Sequence, residues 1–526
     1  IADIFSTFRN PDKETVLTPW RVVNMHLGKT IGGLNFYDEN YRQPYKDGKV
    51  IRRWIQTDYT NQTLDTDSHV LEINSKTGLY PLYAATSIYW REFKKMNDQT
   101  AGKFSFEDEL FLWQKILREN IFLVAKTPMA KEIAKRTLAG YHSDWDINAE
   151  YVENIVDDSK VNVNAEAKKI KGLFNNMKFD VVIGNPPYQD ESKGDNDNFH
   201  APIYNEFYDL SESISDLVTL ITPARFLFDA GSTPKAWNKK MLSDKHFKVV
   251  SFFNKSDEIF PNTDIKGGVA ISMWDVKESF GSIKNQYAPA GIYIPFPKLT
   301  SIMKKVSLIS SEYLDSIVYA PENYKFTEKL HNDNPTVISR LSKGHKYDLK
   351  SNVFDKLNDI FFKVQPKDNS NYVKIIGLSH LKRVERYIRS DYVTNNTNFK
   401  KWKVFIPKAN GSGALGETLS KPLIGKPFVG NTQTFISIGN FNSEYEAQAL
   451  MKYIKTKFAR VMLGILKITQ DNTRTRWRLV PMQDFTSNSD IDWQKSIHEI
   501  DQQLYKKYDF SNEEINFIET NVVEMK

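Results

Sequence analysis

The stretch Phe179-Asp180-Val181-Val182-Ile183-Gly184-Asn185-Pro186-Pro187-Tyr188 decides how the rest of the chain is read. Its β-branched apolar run has the character of a buried strand, and a glycine followed by two prolines marks where that strand stops. A polar side chain therefore sits just past a strand's carboxyl end, where open α/β sheets hold their ligands. Working outward, similar short runs recur at His69–Ile73, Asn120–Val124, Leu217–Ile221 and Val249–Phe253. Amphipathic stretches such as Met129–Leu138 and Ile203–Ile214 lie between or after them. Strands alternating with helices predict an α/β fold with a parallel, doubly wound sheet through the first half of the chain.

The residues at the strand tip suit one reaction. An exocyclic adenine amine is a poor nucleophile because its lone pair is delocalised into the ring. The side-chain oxygen of Asn185 and the carbonyl of Pro186 can accept its two hydrogens, localising the lone pair and stabilising positive charge as it builds on nitrogen. Pro186 and Pro187 fix φ and hold that carbonyl outward. Tyr188 offers a flat face for an extruded base. The bland alternative is a proline-rich turn after a strand, which the apolar run directly before the motif makes the weaker reading.

With its flanks, the motif resembles the amino-methyltransferases of DNA, and the resemblance extends over most of the chain. The order of segments is similar to that of the gamma class of N6-adenine enzymes. In particular it resembles the methylase plus target-recognition portion of single-chain type IIG restriction–modification enzymes. The resemblance implies a Rossmann-like doubly wound sheet that binds S-adenosylmethionine (SAM), followed by a mixed α+β DNA-recognition domain. It also implies double-stranded DNA as partner, a cytoplasmic, nucleoid-associated location in a prokaryote, and a nuclease domain or subunit in the same system.

Carried over residue by residue, Thr18-Pro19 resembles the N-terminal pair that contacts the methionine part of SAM. Val70-Leu71-Glu72-Ile73-Asn74-Ser75-Lys76-Thr77-Gly78 resembles the first SAM loop, with Glu72, Asn74, Thr77 and Gly78 as its cofactor residues. Thr127-Pro128 would follow the second strand on the cofactor side, and Asn185 would serve cofactor and base alike. Asp216–Leu227 looks like the strand–Pro–Arg–Phe–Leu stretch after the catalytic loop. Ile259-Phe260-Pro261-Asn262-Thr263 resembles the segment whose Phe forms the second wall of the base pocket, so Tyr188 and Phe260 would sandwich the flipped adenine.

Two positions depart from the pattern. Lys76 stands where the first loop glycine belongs, and Ala125 where an acid would bind the ribose hydroxyls. Either SAM is held in a modified way through Glu72, Asn74 and the Lys126–Met129 turn, or its binding is weakened or lost. The second case would make the chain a non-catalytic specificity module of a restriction assembly. A third reading, methylation of a protein glutamine or of RNA, uses the same tetrad. Lys76-Thr77 is not a phosphate-binding loop, because the Gly-x4-Gly-Lys-Ser/Thr spacing is absent. His26, His69 and His200 lack metal-ligand spacing, and no catalytic metal is expected.

Composition sets outer limits. A chain of 526 residues is too long for one core, so two or three domains are expected. With 40% hydrophobic and 26% charged residues it reads as globular rather than disordered. The net charge of +6 permits a polyanionic partner without requiring one. The lack of cysteine excludes disulfides and thiolate metal sites, and no apolar run reaches the ~18 residues of a membrane span. The chain begins Ile-Ala-Asp without a Met, which reads as a piece of something longer. No nuclease constellation is visible, so any cutting domain would precede Ile1.

Gly291–Lys298 breaks the strand–helix rhythm and reads as a linker, placing the expected domains at 1–295 and 296–526. Beyond it the chain turns polar and aromatic, with helical patterns at Ser443–Ile465 and Asn512–Met525. Between Asn371 and Asn410 nine cations (among them Lys374, Arg386, Arg389, Lys403 and Lys408) face only Glu385 and Asp391, and Lys467–Arg478 adds a second basic stretch. Basic residues mixed with Gln, Asn, Thr and Trp supply both phosphate and base-edge contacts. The residues expected to meet DNA are Lys382, Arg383, Lys400, Lys401, Arg474, Arg476 and Arg478, against the alternative of an ordinary solvated basic face. Trp402–Glu417, Thr432–Gly439 and Pro481–Ser487 look like type IIG specificity regions.

Overall fold

The five apolar runs of the first half become strands of one seven-stranded sheet, which Asn148–Tyr151 and Val269–Asp275 complete. The strands are β1 (Val70–Ser75), β2 (Ile121–Ala125), β3 (Asn148–Tyr151), β4 (Val181–Gly184), β5 (Leu217–Pro223), β6 (Phe247–Phe253) and β7 (Val269–Asp275). The computed structural model describes residues 17–99, 104–190, 201–261, 263, 265–286, 291–394, 396 and 398–525. The chain divides into two units, residues 1–293 and 294–526.

Across the sheet the order is β6-β7-β5-β4-β1-β2-β3. Neighbours from β5 to β3 run parallel, while β7 lies antiparallel between β5 and β6. β1, β2, β4 and β5 are buried along their whole lengths, which is why they read as continuous apolar runs rather than alternating ones. The doubly wound α/β class expected from sequence is the class observed. Helices α1 (Trp20–Thr30), α2 (Leu79–Gln99), α3 (Phe106–Glu119), α4 (Pro128–Ala139), α5 (Ile155–Leu173) and α6 (Tyr204–Ile214) connect or precede the strands. From β1 the chain winds through β2 and β3 to one edge, then returns to β4 on the other side of β1. That reversal leaves a crevice at the carboxyl ends of β1 and β4, the place where such sheets bind ligands.

The second unit pairs strands differently. β8 (Val318–Tyr319), β11 (Trp402–Pro407), β12 (Leu423–Gly425) and β14 (Phe435–Phe441) form an antiparallel sheet in the order β8-β14-β11-β12. A hairpin of β9 (Tyr372–Ser379) and β10 (Lys382–Arg389) joins β13 (Val429–Asn431), which lies parallel to β9. The unit is thus α+β, as expected.

The division between the two units at 293/294 falls inside Gly291–Lys298, whose Ile292 and Ile294 are buried and whose Pro297 opens a helix. Two local readings are corrected. The single helix expected over Ser443–Ile465 is two, α7 (Glu444–Lys455) and α8 (Lys457–Gly464). Thr456 is extended between them (ψ 151°), and its hydroxyl caps α8 by accepting from the Ala459 N–H. The last helix ends at Asn521 rather than Met525. Among the described residues no helix is long and apolar enough to cross a membrane.

Candidate active site

Two tips face each other at the crevice. Parallel pairing sets Val70 beside Val181, Leu71 beside Val182 and Glu72 beside Ile183, so β1 ends next to Asn185. Gly184 permits this closeness. A Cβ there would stand 2.8 Å from the backbone oxygen of Ile73, and its φ of +154° disfavours any other residue. On β1, Asn74 takes a left-handed conformation (φ +59°), and the pairing with β2 slips between Glu72 and Ser75.

Asn185 is 3% exposed. Its side-chain amide donates to the Thr18 hydroxyl at 2.9 Å, across 167 residues of sequence. That bond fixes which end of the amide is spent, and Oδ1 remains buried with no hydrogen-bond partner among the described residues. Glu72 Oε2, Asn74 Nδ2 and the Tyr188 hydroxyl are in the same condition. Buried polar atoms without partners are rare and costly, and with Ser75 Oγ five of them gather across the adjoining ends of β1 and β4, which is the mark of a ligand. Burial lifts the Glu72 carboxyl to about 8, with Ser75 and the Lys76 ammonium opposing. The structure therefore brings together Thr18, Glu72, Asn74, Asn185 and Tyr188.

The two departures from the family pattern have structural counterparts. Lys76 spans from the end of β1 to the Asn185–Tyr188 loop and donates to the Asn185 backbone carbonyl at 3.4 Å. Ala125 is fully buried opposite Ser75, so no carboxylate stands at the tip of β2. Gly78 serves α4: a Cβ there would meet the backbone of Ala134 at 2.9 Å. The Thr137 hydroxyl of α4 donates to the Thr77 carbonyl at 2.6 Å. Thr127 caps α4 by accepting from Ala130 N–H, and Pro128 occupies its first turn. Pro19 lies at the start of α1, where its carbonyl accepts from Val22 and Val23.

Tyr188 and Phe260 are both buried and meet edge to face, with ring centroids 6.4 Å apart and planes at 68°. The two rings are adjacent, and at this angle they do not stand parallel across a gap. Asn262 and His200 lie outside the described residues.

Two further side chains border the site, His26 and Tyr80. His26 of α1 shares hydrogen bonds with Tyr80 (2.7 Å) and Thr219 (2.8 Å). Burial pushes its imidazole down to about 3, so it is neutral and structural. Tyr80, beside Thr18, Glu72 and Tyr188, is itself pushed well up by burial. Its position in the first turn of α2, two residues past Gly78, is the one clue the sequence offered.

In the second unit the expected DNA-facing cations divide. Lys382, Lys400, Arg474 and Arg478 are exposed, whereas Arg383, Lys401 and Arg476 are half-buried. Arg383 donates to the Lys421 carbonyl at 2.9 Å, and Arg474 to that of Asp315 at 2.8 Å. Arg476 donates to Leu466 and lies 3.8 Å from Asp471. Lys401 bonds the Asn442 side chain. Two other members of the basic stretches are withdrawn from solvent altogether. Lys403 donates to the carbonyls of Asn398, Phe399, Lys401 and Lys426, and Lys467 is buried against Glu417. Trp402–Pro407 and Phe435–Phe441 are core strands of the unit.

Residues 119–260 match the sequence model of the Eco57I restriction-modification methylase family. The chain is similar to an uncharacterized adenine-specific methylase of Mycoplasma pneumoniae, 28% identical over 135 residues, covering 24% of this chain and 32% of that protein. Among solved structures it is similar to a nuclease-deletion mutant of the type ISP restriction-modification enzyme LlaGI in complex with a DNA substrate mimic. That likeness has a TM-score of 0.44 and 12% identity, over 87% of this chain and 45% of that one. It is also similar to the type IIL restriction-modification enzyme MmeI in complex with DNA, with a TM-score of 0.43 and 10% identity over 87% and 73%. The chain thus spans about a third of the curated relative and less than half of LlaGI.

Proposed function

We propose that this chain is the methylase and target-recognition part of a restriction–modification system. In this reading it transfers the methyl group of SAM to the exocyclic amine of an adenine extruded from duplex DNA. The observation that carries it is the buried, unpartnered Oδ1 of Asn185, held outward by the Thr18 hydroxyl at the carboxyl end of a parallel strand. The Eco57I-family match across residues 119–260, which contains the whole Asn185–Tyr188 tetrad, supports the same chemistry.

The cofactor reading passes a test of fit at the methionine end. Glu72 Oε2 is a buried acceptor suited to an ammonium, and Asn74 Nδ2 a buried donor suited to a carboxylate. Thr18 and Pro19 would border the same end. At the ribose end Ala125 offers no hydrogen-bonding side chain, so holding there falls to backbone and to the Thr127-Pro128 turn. SAM supplies the electrophilic methyl group when bound.

The chain's own residues then do the following. Asn185 Oδ1 and the Pro186 carbonyl accept the two amine hydrogens and orient the nitrogen lone pair. Both are fixed dipoles that need no reorganisation as positive charge builds, and burial raises their worth. Pro187 keeps the carbonyl from turning. Tyr188 and Phe260 part to take the base between their faces. No general base is required, because the amine becomes acidic once methylated. The exposed Lys382, Lys400, Arg474 and Arg478, with the half-buried Arg383, Lys401 and Arg476, would grip the duplex.

Incubating the chain with methyl-tritiated SAM and either plasmid DNA or total RNA tests this. Label entering DNA as N6-methyladenine is the expected result. Label in RNA alone, or in neither with no calorimetric heat from SAM, would favour the RNA or the non-catalytic reading.

A further inference from the structure

The hairpin of β9 and β10 turns in two residues, His380 and Leu381, closed by the pairing of Ser379 with Lys382. Both turn residues are left-handed, with φ of +48° and +62°. Such turns are ordinarily built from Asn-Gly or Asp-Gly, because a bulky side chain is strained there. Leu381 gains nothing within the fold for that strain, being 93% exposed.

The tip is nonetheless held firmly. The Ser379 hydroxyl donates to Asp355 at 2.7 Å, and the His380 N–H donates to the other Asp355 oxygen at 3.4 Å. Phe354 lies against Gly377 one turn of pleat below, where even a Cβ would come within 2.6 Å. Strain that surroundings enforce at an exposed tip points to use of that tip. The strand leaving it carries Lys382, Arg383 and Arg386, while its one acid, Glu385, is paired with Lys374 at 2.9 Å. An apolar side chain on a rigid tip, flanked by cations, has the chemistry of a wedge that enters a base step while its neighbours hold phosphates.

We propose that Leu381 is such a wedge, inserted between base pairs of the bound duplex. This rests on the reading that the chain binds duplex DNA. Insertion unstacks one step and untwists the helix locally, which a closed circle records as a change in linking number.

The test uses the full chain, relaxed closed-circular plasmids carrying random-sequence inserts, and topoisomerase I. Wild-type protein should shift the topoisomer distribution as its concentration rises. Leu381→Gly relieves the turn strain, so its melting temperature should not fall. It should retain plasmid on filters within about threefold of wild type yet lose at least about four-fifths of the topoisomer shift. Leu381→Met, which keeps an apolar side chain, should restore the shift. Equal shifts from wild type and Leu381→Gly, or retention by wild type with no shift, would overturn the wedge while leaving DNA binding intact. Failure of wild type to retain plasmid at all would remove DNA binding, and the wedge with it.

Discussion

Gly184→Ala should damage the fold and the site together. The added Cβ would lie 2.8 Å from the Ile73 backbone oxygen, well inside ordinary contact, and neither strand can yield without breaking the parallel ladder between β1 and β4. Overpacking of this kind costs about 1–3 kcal/mol, and the φ of +154° adds about 1 kcal/mol more for a residue with a side chain. The sum, about 2–4 kcal/mol, corresponds to a fall of roughly 3–7 °C in melting temperature for a unit of this size, whose unfolding entropy is about 0.6 kcal/mol/K. The relief available is outward movement of the β4 tip, which carries Asn185 away from Thr18 by several tenths of an ångström. Differential scanning calorimetry of the full chain, with SAM titrated into wild type and variant, reads both effects. An unchanged melting temperature, or an intact SAM affinity alongside the expected destabilisation, would refute the coupling between strand approach and site geometry.

Glu72 should link SAM binding to pH. Its carboxyl is raised to about 8 by burial, so near neutrality it holds a proton that a cationic ligand would expel. Calorimetric SAM titrations at pH 7 in two buffers of different ionisation enthalpy should show proton release, absent in Glu72→Gln; identical heats in both buffers would contradict this. Because the folded chain keeps that proton where an unfolded one loses it, stability should decline from about pH 4.5 to about pH 8, and Glu72→Gln should flatten the decline in a urea series. Thr18→Val removes the partner that orients the Asn185 amide, and methyl transfer should slow about tenfold with little change in DNA retention. Lys403→Met leaves four carbonyls without their shared buried donor and should cost the second unit about 3–5 kcal/mol in a denaturant melt; a loss under about 1 kcal/mol would show the cage is dispensable.

What the sequence could reveal followed from burial on both faces. β1, β2, β4 and β5 are enclosed by helices, so their apolar runs were visible without any partner. β3, Asn-Ala-Glu-Tyr at the sheet edge, is only partly buried and carried no such signal. The break at Thr456 was hidden because apolar periodicity continues through both α7 and α8, and only the cap geometry separates them. In the site, the tetrad at Asn185 was legible as local sequence, while its link to Thr18 and the bond between His26 and Thr219 join residues far apart in the chain. Lys403 and Lys467 counted in the sequence among the cations of the basic stretches. Only the fold shows them buried and donating hydrogen bonds to backbone carbonyls of separate segments.

The central claim is that Asn185 captures the amine of an extruded adenine. It is tested most directly by counting N6-methyladenine, by mass spectrometry, in DNA from a methylase-free bacterial host expressing either the wild-type chain or Asn185→Ala. Modified adenine with wild type, its loss with Asn185→Ala, and equal retention of plasmid by both proteins is the expected result. Methylation that persists in Asn185→Ala would contradict the account.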